Sequence, residues 1–541
     1  MRKRILVSIT AVVILFTTVS FKSDFFEIAK QIEIFTTLFK ELNMNYVDEV
    51  NPSKLMDAAI EGMLSELDPY TKYWTEQEVE DARINNTGEY TGIGASVITK
   101  DKKIKILEAY KDYPADKAGL QAGDELIKIG DITIADFNAD AGDLLQGAPG
   151  TSIPISFKRQ GTIKQTTLKR EEIDIKAVPF YTLIEGNIGY VVLSKFNKKA
   201  SSETADAIKQ LKSEGATSII LDLRGNPGGL LTEAINVSNL FIPKAQVITT
   251  TKSVIEKYNQ EYRTPNEPLD VNIPVAVLIN GRSASASEIV SGSLQDYDRA
   301  VIVGARSFGK GLVQRPKELT YGTQLKVTIS RYYTPSGRCI QALDYWNRDD
   351  QGNAIRTNVE DYNEFKTRMG RTVYDGGGVL PDIQVESAKL SAITEALLMD
   401  QAIFDFATDY FYKHNYDNLE DFKFTSTDYT AFKTFLEQKG FTYQTQTEKD
   451  LEKSFLTAEK DNLQKEISTQ YAGLMKSIDS AKKQQLDSKE KEISNLIVDE
   501  LVKRYFYKEG LYEYQIKHNE EIAEAISILK DTKRYSKILN P

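Results

Sequence analysis

The sequence predicts a multidomain α+β protein, and three observations lead there. With 541 residues, the chain exceeds one ordinary domain. Between residues 173 and 388, buried-looking apolar strands alternate with helical stretches, the texture of an α/β layer. On either side the texture changes, to short strands with glycine turns before it and to Lys/Glu/Gln-rich helical sequence after it.

The front of the chain reads as a targeting segment followed by helices. Arg2, Lys3 and Arg4 precede an apolar run from Ile5 to Val19, closed by Ser20. A basic start and a run this short describe an export signal or an uncleaved anchor over 1–20. No cysteine follows that would take a lipid. From 24 to 85 the periodicity is helical: Phe35, Leu38, Phe39 and Leu42 share one face, and Leu55, Ala58, Ala59, Met63 and Leu67 share another. Asn51-Pro52 supplies a helix start and Leu67-Asp68-Pro69-Tyr70 a stop. Both faces are expected to pack.

Residues 86–172 carry an ordered set of features. Thr91-Gly92-Ile93-Gly94-Ala95 leads into alternating strands, then comes Pro114-Ala115-Asp116-Lys117-Ala118-Gly119-Leu120, then Gly123-Asp124-Glu125-Leu126 opening a further strand. This order resembles a PDZ domain. The resemblance implies that the loop of Gly92, Ile93, Gly94 and Ala95 holds a peptide's terminal carboxylate on backbone N–H groups while the peptide adds as a strand.

Composition narrows the chemistry of the remainder. A net charge of -10 argues against nucleic acid as the main partner. A lone cysteine, Cys339, excludes an internal disulfide and a cysteine-rich zinc site, and it reads as a structural thiol. There are 2 histidines, His414 and His518, both in the C-terminal stretch and far along the chain from any candidate nucleophile. A serine hydrolase built here therefore needs another base.

Three segments of the α/β region could assemble one. Asp222-Leu223-Arg224-Gly225-Asn226-Pro227-Gly228-Gly229 is a glycine turn at the end of a buried strand, with N–H groups that could polarise a carbonyl oxygen. Ser283-Ala284-Ser285-Ala286-Ser287-Glu288 starts a helix, where free N–H groups and the dipole favour developing negative charge. Ser followed three residues on by Glu equally fits a plain capping box. Phe308-Gly309-Lys310-Gly311-Leu312-Val313-Gln314 offers a lysine. With a reference pKa of about 10.4, it must be desolvated to act as a base, which its apolar neighbours Phe308, Leu312 and Val313 suit. Chemistry alone leaves the choice among Ser283, Ser285 and Ser287 open.

Together these segments resemble the carboxy-terminal processing (tail-specific) peptidases, in which a PDZ domain stands before a Ser-Lys core of crotonase/Clp-protease-like fold. The resemblance spans residues 30–385, including Tyr333-Thr334-Pro335-Ser336-Gly337-Arg338 and Leu380-Pro381-Asp382. In that family the nucleophile stands 25 positions before the lysine and a glutamine four after it. Counted from Lys310, these land on Ser285 and Gln314. The resemblance thus implies Ser285 as nucleophile, Lys310 as general base and Gln314 orienting the lysine. Ala286 and Gly228 or Gly229 would supply the oxyanion N–H groups. It implies no metal and no organic cofactor, and unfolded or C-terminally exposed protein substrates; the basic and apolar start implies export, to the periplasm or the outer face of the cytoplasmic membrane. A homo-oligomer is compatible with it. Two departures stand out: a long charged segment between Gln341 and Asp382, and a helical extension over 389–541, read as a solvated accessory domain without chemistry.

Two rival readings remain at this level. One is a non-catalytic PDZ adaptor with a peptidase-like core. The other is a P-loop NTPase, because Gly304 to Lys310 matches G-x-x-x-x-G-K, although Gly311 stands where a Ser or Thr should hold the metal.

Overall fold

The computed structural model describes residues 25–100, 102–137, 141–349, 352–385 and 390–540. The export segment expected over 1–20 lies outside them. The chain divides into two compact units, one holding residues up to 75 with 316–328, the other holding 76–315 with 329–541.

In the first unit a helix over 25–45 is followed by a second, Pro52–Ser65. The second starts where expected: Asn51 accepts from the Lys54 N–H and Pro52 takes the first turn. Strand Lys72–Trp74 then pairs antiparallel with 324–326, and Lys326 Nζ lies 5.2 Å from the Trp74 ring. The expected packing faces do not pack. Leu38 is 61% exposed and Met63 64%, and no residue of Pro52–Ser65 is buried. An amphipathic helix buries its stripe only where the fold brings a second surface to it, and within this unit none reaches it.

The glycine-rich segment of the second unit forms a small antiparallel sheet. Its spatial order is Ala95–Lys100, Lys103–Ala109, Glu125–Ile129, Ser152–Arg159, Thr162–Lys169. Ile104, Ile106, Leu126, Ile155 and Phe157 fill its core. Ala95–Lys100 is an edge strand, so one side of its backbone has no partner strand in the sheet. Gly94, which leads into it, has φ +68°, and a Cβ there would lie 2.3 Å from Tyr113 Cβ. Only glycine fits.

The α/β layer is a six-stranded sheet in the order Phe180–Ile184, Ile188–Val192, Ser218–Asp222, Val275–Ile279, Val301–Gly304, Ile383–Gln384. The first pair is antiparallel and the rest are parallel. The three central strands are buried throughout and read as unbroken apolar runs, as strands covered on both faces must. Helices Ala200–Ser213, Leu231–Asn239 and Ala286–Asp296 pack on one face. The opposite face is covered by Ile522, Ala525, Ile528, Leu529 and Leu539 from the last two helices, Glu520–Lys530 and Thr532–Leu539.

That covering corrects the expectation of a solvated accessory domain. The C-terminal region has a core of its own, built from Ile403, Phe406, Phe432, Ile493, Ile497 and Leu501, and then closes the six-stranded sheet. It also grips the small antiparallel sheet through Lys105–Asp405 at 3.1 Å, Lys508–Glu108 at 2.9 Å and Tyr507 Oη donating to Asp116 at 2.8 Å. Helix Gln464–Ser488 packs against Gln446–Lys460, with the Tyr471 and Phe455 rings stacked at 4.0 Å and Lys482 paired to Glu448 at 2.9 Å, while Leu463, Ile467 and Leu474 stay exposed. The charged segment after Gln341 folds into two hairpins, Leu343–Arg348 with Ala354–Arg356 and Glu364–Lys366 with Thr372–Tyr374.

Candidate active site

Ligands of open parallel sheets bind beyond the carboxyl ends of the strands. Here two adjacent strand ends carry the motif residues. Ser218–Asp222 runs into the glycine turn, and Val275–Ile279 runs into the serine segment. Lys310 follows the next strand, Val301–Gly304. What comes after Lys310 is the strand Leu312–Glu318, not a helix. A P-loop needs a helix N-terminus at that point to hold phosphate, so the NTPase reading fails on geometry.

The three serines have different environments. Ser283 is fully buried, donating to the Leu223 carbonyl at 2.8 Å and accepting from the Asn280 N–H at 2.9 Å. Ser287 is equally buried and donates to the Asn226 carbonyl at 2.9 Å. Both pin the serine segment to the glycine turn. Ser285 is the half-buried one, and it caps helix Ala286–Asp296 with φ 54° and ψ -110°. A non-glycine residue held at such angles costs about 1–3 kcal/mol, and such strain concentrates at functional positions.

Glu288 brings Ser285 and Lys310 together. It reaches back to the Ser285 N–H as a capping box requires, but its fully buried carboxylate does more. Oε2 accepts from Ser285 N at 2.7 Å and from Lys310 N at 2.9 Å, and Oε1 accepts from Gly309 N and from Ser307 Oγ, each at 2.6 Å. Two N–H groups on one oxygen cannot be farther apart than the sum of their bonds. Burial pushes this carboxyl above its usual range while the four donors pull it back. Tyr332, also buried, adds a second bridge: its hydroxyl lies 2.6 Å from the Lys310 carbonyl and 3.2 Å from the Ser285 carbonyl. Lys310 itself is half-buried. Leu312 beside it is buried, and Phe308 is 43% exposed. Gln314 lies half-buried on the strand that follows.

The glycine turn faces the helix start. A Cβ on Gly228 would lie 2.9 Å from the Ala286 nitrogen and 2.9 Å from Ser285 Cβ. Gly228 is buried, and its N–H is committed to Asn226 Oδ1 at 2.9 Å. Gly229 is exposed, and neither its N–H nor that of Ala286 has a protein acceptor among the described residues. Of the two glycines offered by the sequence, Gly229 is thus the one with a donor to spare. Asn226 holds the turn. It is fully buried, donates to the Leu193 carbonyl at 2.7 Å, and accepts from the Ala284 N–H at 3.0 Å on its own carbonyl. Sequence reading singled out neither Asn226, Glu288 nor Tyr332 for a role. The Ser285-to-Glu288 capping spacing was the one available signal, and it pointed to a helix cap.

The motif order and this site define a PDZ-bearing serine peptidase, and comparison with known proteins agrees. Residues 187–345 match the model for "Peptidase family S41", 105–159 match "PDZ domain", 393–529 match "Probable PDZ-protease, C-terminal helical domain", and 18–78 match "Activating protease CtpB N-terminal domain". A "Carboxy-terminal-processing protease" from Bartonella bacilliformis is 39% identical over 323 residues, 58% of this chain and 73% of the relative. A "Probable CtpA-like serine protease" from Staphylococcus haemolyticus is 37% identical over 306 residues, 56% of this chain and 61% of the relative. Among solved structures, the photosystem II D1 C-terminal processing protease aligns at 25% identity and a TM-score of 0.37, covering 66% of this chain and 88% of that one. The chain belongs to the carboxy-terminal-processing protease family and is a serine peptidase.

Proposed function

We propose that this chain is an exported endopeptidase that uses a Ser285–Lys310 pair and selects polypeptides by their C-terminal tails. The observation that carries the catalytic half is the double bridge: the Glu288 carboxylate and the Tyr332 hydroxyl each bind the backbones of both residues. Ser285 Oγ attacks the scissile carbonyl and passes its proton to Lys310 Nζ, which must be neutral at that moment. Lys310 then protonates the leaving amine. The Ala286 and Gly229 N–H groups receive the oxyanion, and water releases the acyl chain with Lys310 again as base. Gln314 orients the lysine.

The tail-binding half rests on the edge strand Ala95–Lys100 and the loop Gly92–Ala95 that opens it. A peptide paired to that edge would bring its carboxylate to the loop N–H groups. Unfolded proteins with free C-termini are the substrate class. Export rests on the basic and apolar start of the chain, Arg2 to Val19. Among the described residues no helix is long and apolar enough to cross a membrane. The domain boundaries that follow are 24–85, 86–172, 173–388 and 389–541.

The test is cleavage of an unfolded protein such as reduced casein. Ser285→Ala and Lys310→Ala should each abolish it, and Lys310→Arg should too, because a guanidinium keeps its proton. Undiminished cleavage by Ser285→Ala or Lys310→Arg would remove that residue from its role. A wild-type protein that binds tails but cleaves nothing would favour the adaptor reading.

A further inference from the structure

The C-terminal helices do more than cover the sheet. Arg224 opens the glycine turn, and its guanidinium is almost fully buried, 9% exposed. It forks the Asp222 carboxylate, Nε to Oδ1 at 3.0 Å and Nη2 to Oδ2 at 2.6 Å, and Tyr190 Oη donates to the same carboxylate at 2.6 Å. Its remaining nitrogen, Nη1, turns to the C-terminal region, reaching Asn519 Oδ1 at 2.7 Å and Glu521 Oε2 at 2.5 Å. Asn519 stands between helices Glu490–His518 and Glu520–Lys530, capping the second. One guanidinium therefore joins the catalytic turn to a residue 297 positions away.

The turn needs such an anchor. Three of its residues, Gly225, Gly228 and Gly229, have positive φ, so the chain itself imposes little stiffness. Arg224 leads directly into Gly225, whose N–H bonds Asn280 Oδ1 at 3.0 Å. Asn280 in turn donates its own N–H to Ser283 Oγ at 2.9 Å and accepts from the Ser283 N–H on its carbonyl at 2.8 Å. Turn and serine segment are one interlocked piece, and the Arg224 fork is its outermost fixed point.

We infer that Glu521 and Asn519, acting through Arg224, are positioning residues that aim the Gly229 and Ala286 N–H groups at the developing oxyanion. This rests on the Ser285-peptidase reading. Oxyanion donors bind the transition state and not the bound substrate, so loosening them lowers kcat and spares KM. A purely structural role for Glu521, as an acid in the first turn of its helix, would lower the melting temperature and leave the kcat of the folded enzyme alone.

The full-length protein is assayed on an internally quenched peptide with a free apolar C-terminus, with melting followed by circular dichroism. Glu521→Ala should lower kcat about tenfold or more, below the 10²–10³-fold of removing an oxyanion donor outright, with KM within about twofold. Glu521→Gln keeps an acceptor for Nη1 and should recover at least about threefold of that loss. Should Glu521→Ala fail to fold, Arg224→Lys carries the test, since it keeps the charge and loses the fork. The same kcat loss there supports the inference. A folded variant with kcat within twofold of wild type overturns it, as does a loss that appears wholly in KM. Ser285→Ala is run alongside: if it retains activity, the peptidase reading fails, and if it is dead while Glu521→Ala and Arg224→Lys are normal, only the positioning role fails.

Discussion

Replacing Glu288 by glutamine tests whether its carboxylate organises the site. The side chain is fully buried and its two oxygens accept four donors. Glutamine keeps one acceptor oxygen and presents an NH₂ on the other side. If the amide oxygen stays on the Ser285 and Lys310 side, the NH₂ faces the Gly309 N–H and the Ser307 hydroxyl. Ser307 Oγ already accepts from Val379 N at 2.7 Å, so it is a poor new acceptor. If the amide flips, the Ser285 and Lys310 N–H groups are opposed instead. Either way two buried donors lose their partner, at about 1–3 kcal/mol each. The expected loss of stability is about 2–6 kcal/mol, read from urea unfolding followed by fluorescence. Because the strained Ser285 backbone and the Lys310 backbone are both held by this group, a shift of about 1 Å between them should cost on the order of 10²-fold in kcat. A Glu288→Gln protein with wild-type kcat and stability within about 0.5 kcal/mol would refute the bridging role.

Three further outcomes are expected. Gly228→Ala must place a Cβ 2.7 Å from the Ala284 carbonyl at φ +99°, so activity should fall by about 10²-fold or more even where the fold survives, checked by peptide cleavage beside thermal melting. Burial raises the Asp499 carboxyl to about 6 in the folded chain, outweighing the pull of Lys503 and of a Gln515 bond. A raised acid holds its proton more tightly folded than unfolded, so its penalty grows as pH rises from about 4 to 6. Asp499→Asn should therefore stabilise the protein by on the order of 1–3 kcal/mol at pH 7 and give no gain below pH 4, measured by denaturant titration at both pH values. Amidating a substrate's C-terminus, or changing Gly94→Pro, should slow cleavage of tail-bearing substrates alone; equal rates for free and amidated substrates would take tail selection away from the edge strand.

Much of this molecule was legible in one dimension because its signals are local. Glycine order and the Pro-Ala-x-x-Ala-Gly-Leu stretch announced the small sheet, and the unbroken apolar runs announced the parallel strands, since each depends on residues within a few positions. The absence of a histidine near the serines in sequence called for another base, and the resemblance to the tail-specific peptidases, through its serine-to-lysine interval, is what proposes Lys310. Three matters needed the tertiary structure. Whether an apolar stripe packs depends on what the rest of the chain brings to it: the faces of 25–45 and Pro52–Ser65 lie open, whereas Ile522, Ile528 and Leu529 cover the catalytic sheet. Which serine differs from its neighbours depends on who satisfies its hydroxyl, and Ser283 and Ser287 are taken by carbonyls some 60 residues away. The roles of Glu288, Tyr332 and the Arg224–Glu521 pair were hidden for the same reason. A buried charge or hydroxyl must find its partner wherever folding delivers one, and no spacing rule records a bond between residues 224 and 521.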